Sequence, residues 1–309
     1  MRPRLFVSLV LLIVVALTVL VWVQPSNRDF GPDNYSWNGL ADFVSTYEAS
    51  EITSLSELPL SPQGTILILI PYTGFARPEL EQLEEYTATG GTLVVLDDYG
   101  YGNEVLGHLG VITRFSNHPL LDPLFNFVND SFPTITSFSP ELQSDEIQNV
   151  VLNHASSLTN TSDDEVTAWS SRFSFLDENA NSERDEDEPS GPFPVASVIS
   201  YESGRVVLIS DPSILIMLDT NDNRRFIDNV LGVSKSNPTV FLDESHIPSS
   251  QLETAQGWLQ QIRDGLATPQ GIVILALGAI ALIAIMSRHH EKDLPSEESP
   301  GNKGGSIDH

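Results

Sequence analysis

The sequence contains no cysteine. Disulfides, zinc-thiolate sites, iron–sulfur clusters and cysteine nucleophiles are excluded at once. Lysine is nearly absent as well, with only Lys235, Lys292 and Lys303. Fifteen basic residues stand against 42 acidic ones, a formal net charge of -27. Such a surface repels nucleic acid, so no nucleic-acid partner is expected. An acid-rich, lysine-poor chain suits high salt, where self-repulsion is screened, and this points to a halophilic source. Several motifs are missing too: no Gly-x-Ser-x-Gly elbow, His-Glu-x-x-His helix, Walker loop or dinucleotide fingerprint is present. Gly100-Tyr-Gly102 is too short a pattern to cradle a phosphate.

What is present begins with two apolar runs. Leu5 to Val23 is broken only by Ser8 and Thr18 and follows Arg2 and Arg4. A run of about 19 residues matches a hydrocarbon core about 30 Å thick. It ends Val21-Trp-Val-Gln-Pro25, without a small-x-small cleavage site, which favours an uncleaved signal anchor over a cleaved signal peptide. Gly271 to Met286 is the second run, followed by Arg288, His289, His290 and Lys292. The positive-inside rule then predicts a two-pass protein of the cell membrane, embedded in the lipid bilayer, with both termini cytoplasmic and the main domain outside. Arg28 and Arg263 on the other side weaken that asymmetry.

The expected partition is a cytoplasmic N-terminus (1–4), a transmembrane helix (5–23), an extracytoplasmic α/β domain (24–250), an amphipathic stalk (251–268), a second transmembrane helix (269–287) and a disordered cytoplasmic tail (288–309). The stalk carries Leu252, Ala255, Leu259, Ile262 and Leu266 on one stripe. Acceptor sequons at Asn34, Asn129 and Asn160 are compatible with an external domain.

Inside the domain, Ser36 to Tyr47 has helical spacing, with Trp37, Leu40, Phe43, Val44 and Tyr47 on one face. Thr65–Ile70, Thr92–Leu96, Arg205–Ile209 and Thr239–Leu242 are continuous apolar runs, as expected of strands buried on both faces. Helices are expected over Arg77–Thr89, closed by Gly90-Gly91, and over Asn223–Leu231, closed by Gly232. Strand and helix alternate, which predicts a mostly parallel α/β sheet. Residues 117–198 are less periodic and suggest an antiparallel, β-rich insertion or sheet extension.

Three strands end in acids: Asp97-Asp98, Asp211 and Asp243-Glu244, the last followed by His246. Ligands of open α/β sheets sit beyond the carboxyl ends of the strands. These six residues are the candidate ligand site, suited to a cation, a polyol or acid–base work. The structural alternative is that the acids cap helices and turns, as Asp211-Pro-Ser213 suggests. Arg224 and Arg225 read as helix cations paired with Asp222 and Asp228.

The segment from Asp177 to Glu188 is the most specific local signal. Asp177, Asn179 and Asn181 supply alternating oxygens, Glu183 a carbonyl, Asp185 the position of a water-bridged ligand and Glu188 the closing acid of a calcium loop. Ser182 stands where glycine is expected, which costs strain at a positive φ. Arg184 replaces the usual apolar residue, and the flanks read as strand rather than paired helices. An acidic solvated hairpin is the alternative.

Four segments in order carry a family resemblance: Gly90-Gly-Thr-Leu-Val-Val-Leu-Asp-Asp-Tyr-Gly100, Gly204-Arg-Val-Val-Leu-Ile-Ser-Asp-Pro-Ser213, Asn223-Arg-Arg-Phe-Ile-Asp-Asn229 and Phe241-Leu-Asp-Glu-Ser-His246. Over most of residues 30–250 they resemble the family called domain of unknown function 4350, here of archaeal type. The resemblance implies a flavodoxin-like three-layer domain, similar to class I glutamine amidotransferases, between membrane helices. It also implies a membrane-protein complex, with a MoxR-type ATPase or a transporter system as partner. Amidotransferase catalysis does not carry over, because that nucleophile is cysteine. The functional expectation is a non-catalytic binding or scaffold subunit of an envelope or transporter-like complex, with a structural calcium loop. The alternative is an enzyme or binding protein acting on carbohydrate or another envelope substrate through the strand-end acids.

Overall fold

The computed structural model describes residues 3–144, 147–233 and 236–292. The chain divides into two compact units, Gln24–Glu253 and a second formed by Met1–Val23 with Thr254–His309. Its helices are α1 (Pro3–Val23), α2 (Ala41–Tyr47), α3 (Arg77–Ala88), α4 (Gly102–His108), α5 (Asn223–Leu231), α6 (Gln251–Ala267) and α7 (Pro269–Lys292), besides a short turn of helix at Pro140–Ser144. The main strands are β1 (Ser50–Ile52), β2 (Thr65–Leu69), β3 (Thr92–Leu96), β4 (Ser137–Phe138), β5 (Val166–Trp169), β6 (Pro194–Tyr201), β7 (Gly204–Ile209) and β8 (Thr239–Asp243).

These strands form one mixed sheet in the order β1-β8-β2-β3-β7-β6-β5-β4. The first five run parallel and the last three join antiparallel. Both faces of the parallel part are covered, which is why its strands are apolar at successive positions. Leu67, Leu69, Leu93, Val95, Val206 and Leu208 share a core with Leu83 and Tyr86 of α3 and Val105 and Leu106 of α4. Ile66, Ile68, Val94, Leu96, Val207 and Ile209 share the other core with Phe43 of α2 and Phe226, Ile227 and Val230 of α5.

The expected β-rich region divides in two. One part extends the sheet as β4, β5 and β6. The rest forms two-residue ladders, Arg114–Phe115 with Leu158–Thr159, Leu120–Leu121 with Phe175–Leu176, and Thr134–Ile135 with Val150–Val151. This part reaches the strand ends, where Ser156 N–H donates to the Ser210 carbonyl at 2.9 Å.

The expectation of two transmembrane helices is corrected. Among the described residues, no helix is long and apolar enough to cross a membrane. The two-pass cell-membrane localisation, with its outer domain and inner termini, falls with those helices. Part of this unit is polar: Gln256 Nε2 donates to the Val21 carbonyl at 3.0 Å, and Arg263 lies over the Trp22 ring, 5.4 Å from its centroid. The stalk stripe buries no residue of α6. Helix α7 runs through residues 288–292 of the expected tail, and residues 293–309 lie outside the described residues.

Candidate functional site

The chain takes opposite directions after the two adjacent strands β3 and β7. After β3 it enters α4, whose Val105 and Leu106 pack on one face. After β7 it enters a 3-10 turn, Pro212–Leu215, whose Ile214 and Leu215 pack on the other. Their carboxyl ends therefore flank a topological switch point, the usual crevice of an open α/β sheet. Asp97, Asp98 and Asp211 stand there.

Most of these acids are committed to backbone N–H groups. Asp97 is fully buried and accepts from Gly100 at 2.6 Å and Gly102 at 2.7 Å. Burial pushes its carboxyl up to about 6, against the lowering effect of those two N–H groups. Asp211 is also fully buried and accepts from Ser213 N–H and Asn153 N–H, each at 2.7 Å. Burial carries it up to about 8, with the charge of Asp98 adding to the rise. Asp98 accepts from Tyr99 N–H at 2.7 Å and from the Tyr72 phenol at 3.1 and 3.2 Å. Its carboxyl is raised by burial, and these donors lower it in part. The Tyr72 phenol is itself raised, first by burial and then by Asp98.

The acids after β8 form a separate group. Asp243 Oδ2 lies 2.7 Å from His246 Nδ1, and its Oδ1 accepts from Ser245 Oγ at 2.6 Å. His246 is buried under Phe75, ring centroids 4.0 Å apart, with Glu79 Oε2 3.8 Å from Nε2. Glu244 turns away to pair with Arg28. Tyr72 connects the two groups, its phenol on Asp98 and its backbone N–H on the His246 carbonyl at 3.1 Å. The six sequence candidates thus do not converge in one cleft.

The loop from Asp177 to Glu188 closes on itself. Asp177 accepts from Asn181 N–H and Ser182 N–H, at 3.1 and 2.8 Å. Glu188 accepts from Glu178 N–H and Asp185 N–H, both at 3.0 Å. The amides of Asn179 and Asn181 donate to Asp185 Oδ2 at 2.7 and 2.9 Å. Ser182 takes φ 62°, the left-handed conformation that glycine would occupy. Among the described residues, no group of three or more His, Asp or Glu is disposed to hold a metal ion.

Arg28, Phe30 and Tyr72 were not among the sequence candidates. They line a cavity of about 320 Å³ with Asn27, Asp29 and residues 247–250. The available signal was a lone cation, Arg28, in an acidic stretch. Arg224 pairs with Asp219 at 2.6 Å rather than with Asp228, which accepts from the Tyr47 phenol at 2.8 Å. Asn34 is buried, and its amide donates to the Arg28 carbonyl and to Asn38, both at 2.9 Å. That sequon is enclosed by the fold, whereas Asn129 and Asn160 are exposed.

The fold and site define a mixed α/β domain whose strand-end acids brace the loops over a switch-point crevice. The chain belongs to the family described as a domain of unknown function, DUF4350, which matches residues 32–231. No curated protein matches it. Among solved structures, the mmIFT52 N-terminal domain is similar over 53% of this chain and 75% of its own, at 16% identity and TM-score 0.42. A β-galactosidase from Bacillus circulans sp. alkalophilus is similar over 56% of this chain and 23% of its own, at 11% identity and TM-score 0.31. A cytoplasmic protein from Salmonella typhimurium LT2 is similar over 60% and 78%, at 10% identity and TM-score 0.31. TM-scores this low leave the likenesses without weight for function.

Proposed function

We propose that the protein is a non-catalytic binding or scaffold subunit of a larger assembly. The observation that supports this reading is the use of the strand-end acids. Asp97, Asp211 and Asp243 have both carboxylate oxygens engaged by turn and loop donors of the chain itself. A general acid or base needs a substrate proton within hydrogen-bond reach, and buried carboxylates so engaged offer none. Purified full-length protein is expected to show no turnover in hydrolase and transferase assays. Turnover that Asp98→Asn or Asp243→Asn abolishes would sink the reading and favour the carbohydrate-active alternative.

Calcium is the proposed ligand of the Asp177–Glu188 loop. Support comes from the spacing of its oxygens and from the left-handed φ at Ser182. Ion binding exchanges loop N–H contacts for metal coordination by Asp177, Asn179, Asn181, Asp185 and Glu188, with the carbonyl of Glu183. Such isolated sites bind weakly, with Kd on the order of 10⁻⁴ to 10⁻³ M. Titration calorimetry of the full chain should show calcium binding, and saturating calcium at about 100 times Kd should stabilise the fold by about 2.7 kcal/mol. Asn179→Ala with Asp185→Ala, the first exposed and the second half-buried, should weaken binding at least about tenfold by removing ligands. Absence of heat and of any thermal shift in the unaltered protein rejects the proposal.

A further inference from the structure

We infer that the loop of residues 122–134 is the contact face of a homodimer, docking on the same loop of a second copy of this chain. The loop presents four large apolar side chains to solvent: Leu124 and Val128 are each 66% exposed, Phe127 54% and Phe125 42%. Together they offer on the order of 400 Å², the size of the largest and often functional patch on an ordinary monomer. A standard interface takes about 800 Å² from each partner, apolar core and polar rim together. The four side chains supply the core of such a contact, about half of its area. The loop is ordered before any partner arrives. Asp122 is fully buried. Its Oδ1 accepts from Leu124 N–H at 3.0 Å and Phe125 N–H at 2.8 Å, and its Oδ2 from Ser171 Oγ at 2.6 Å. Phe127 N–H donates to the Phe132 carbonyl at 3.0 Å, and Thr134 N–H to the Phe125 carbonyl at 2.8 Å. The Phe125 ring stacks on Phe173, centroids 5.9 Å apart at 11°. A patch held in this way loses little conformational entropy on docking.

Charge selects the occupant. Two copies with a net charge of -27 each repel, so a contact between them needs a face poor in acids. Residues 123–140 carry one charged side chain, Asp130. The fold brings a cation to the same face: Arg172 is exposed, 4.6 Å over the Phe173 ring on which Phe125 stacks. Both charges flank Asp122, whose N–H donates to the Asp130 carbonyl at 2.9 Å and whose carboxylate holds Ser171, the neighbour of Arg172. The face thus combines one cation and one acid with an apolar core. A two-fold contact sets one residue against a second and that second against the first. Arg172 of each copy then meets Asp130 of the other, and the face is complementary to itself. A partner of strongly acidic or strongly basic surface answers only one of the two charges.

Sedimentation equilibrium of the full-length protein tests this in about 0.5 M sodium chloride, which screens the net charge beyond about 4 Å. Twice the protomer mass is expected. Val128→Asp and Leu124→Asp, both at exposed positions, should each raise the dissociation constant about tenfold or more while the thermal midpoint holds, because each buries an unpaired charge in the contact. Arg172→Asp and Asp130→Arg should each weaken the dimer. The double variant exchanges the two charges and should return to within about threefold of wild type. A monomer at about 100 µM overturns the inference. So does a dimer that Val128→Asp and Leu124→Asp both leave intact, which places the contact elsewhere in the chain, or a double variant no better than its parents. Monomeric protein that pellets with phosphatidylglycerol vesicles, and no longer does so in Val128→Asp, would give the face to a lipid surface and overturn the dimer as well.

Discussion

Asp97→Ala is expected to destabilise the domain by about 2–6 kcal/mol, counted as two backbone donors left without acceptors at about 1–3 kcal/mol each. The donors are Gly100 N–H and Gly102 N–H, both now held by the Asp97 carboxylate at the end of β3. The turn packs its glycines directly on that carboxylate and on the Pro71 carbonyl. A Cβ on Gly100 would fall 2.4 Å from the Pro71 carbonyl oxygen and 2.7 Å from Asp97 Oδ1. A Cβ on Gly102 would fall 2.6 Å from Asp97 Oδ2. Removing the acid also relieves the burial that raises its carboxyl, which offsets part of the loss. Denaturant unfolding measures the result, read as a lower midpoint at unchanged m. Asp97→Asn keeps one acceptor oxygen and should lie between wild type and Asp97→Ala. A loss below about 1 kcal/mol, the worth of one ordinary hydrogen bond, would show that the acid does not brace the turn.

The sheet was largely legible because its strands obey one simple pressure. Burial on both faces demands apolar residues at successive positions, so Thr92–Leu96 is bounded in the structure as its residues suggest, and β2 differs only by ending at Leu69 rather than Ile70. Helix α5 likewise runs from Asn223 to Leu231, ended by Gly232 at φ 75°. Periodicity failed where side chains hold the backbone. The helix expected from Ser36 starts only at Ala41, because Asn34 Oδ1 accepts Ser36 N–H at 2.8 Å and Gly39 packs directly on Asn34. Trp37, placed on the buried face by its spacing, is 84% exposed. The cavity was hidden for a different reason. Tyr72 and Ser249 follow β2 and β8, which the sheet order places side by side, and no local pattern carries that adjacency. The strand-end acids were visible as residue types. Their engagement by Gly100, Asn153 and Ser213 N–H groups depends on loop paths that composition does not encode.

Stability is expected to fall as pH rises from 5.5 to 8.5, and Asp211→Asn is expected to remove much of that fall. Asp211 is raised from 3.8 to about 8. Two N–H donors favour its charged form, but full burial in a low-dielectric crevice favours the neutral form more strongly. Between these values the folded chain keeps a proton that the unfolded chain releases. The folded state binds more protons, so stability declines with rising pH. The contribution is complete below 3.8 and is lost as pH passes about 8. At about 1.4 kcal/mol per pH unit across the window, Asp211 should account for about 3 kcal/mol between pH 5.5 and 8.5. Asp97, raised to about 6, adds a smaller decline at the acid end of the same range. Asp211→Asn is less stable at every pH, because its amide nitrogen faces one of the two backbone donors. Its pH slope, however, should be shallower by the Asp211 share. Chemical denaturation of both proteins at the two pH values isolates that difference from every other titrating group. Equal slopes would mean that Asp211 ionises in the folded chain as it does in water. The crevice between β3 and β7 would then be open to solvent, and Asp98 and Asp211 would stand there as two charged carboxylates available to a ligand.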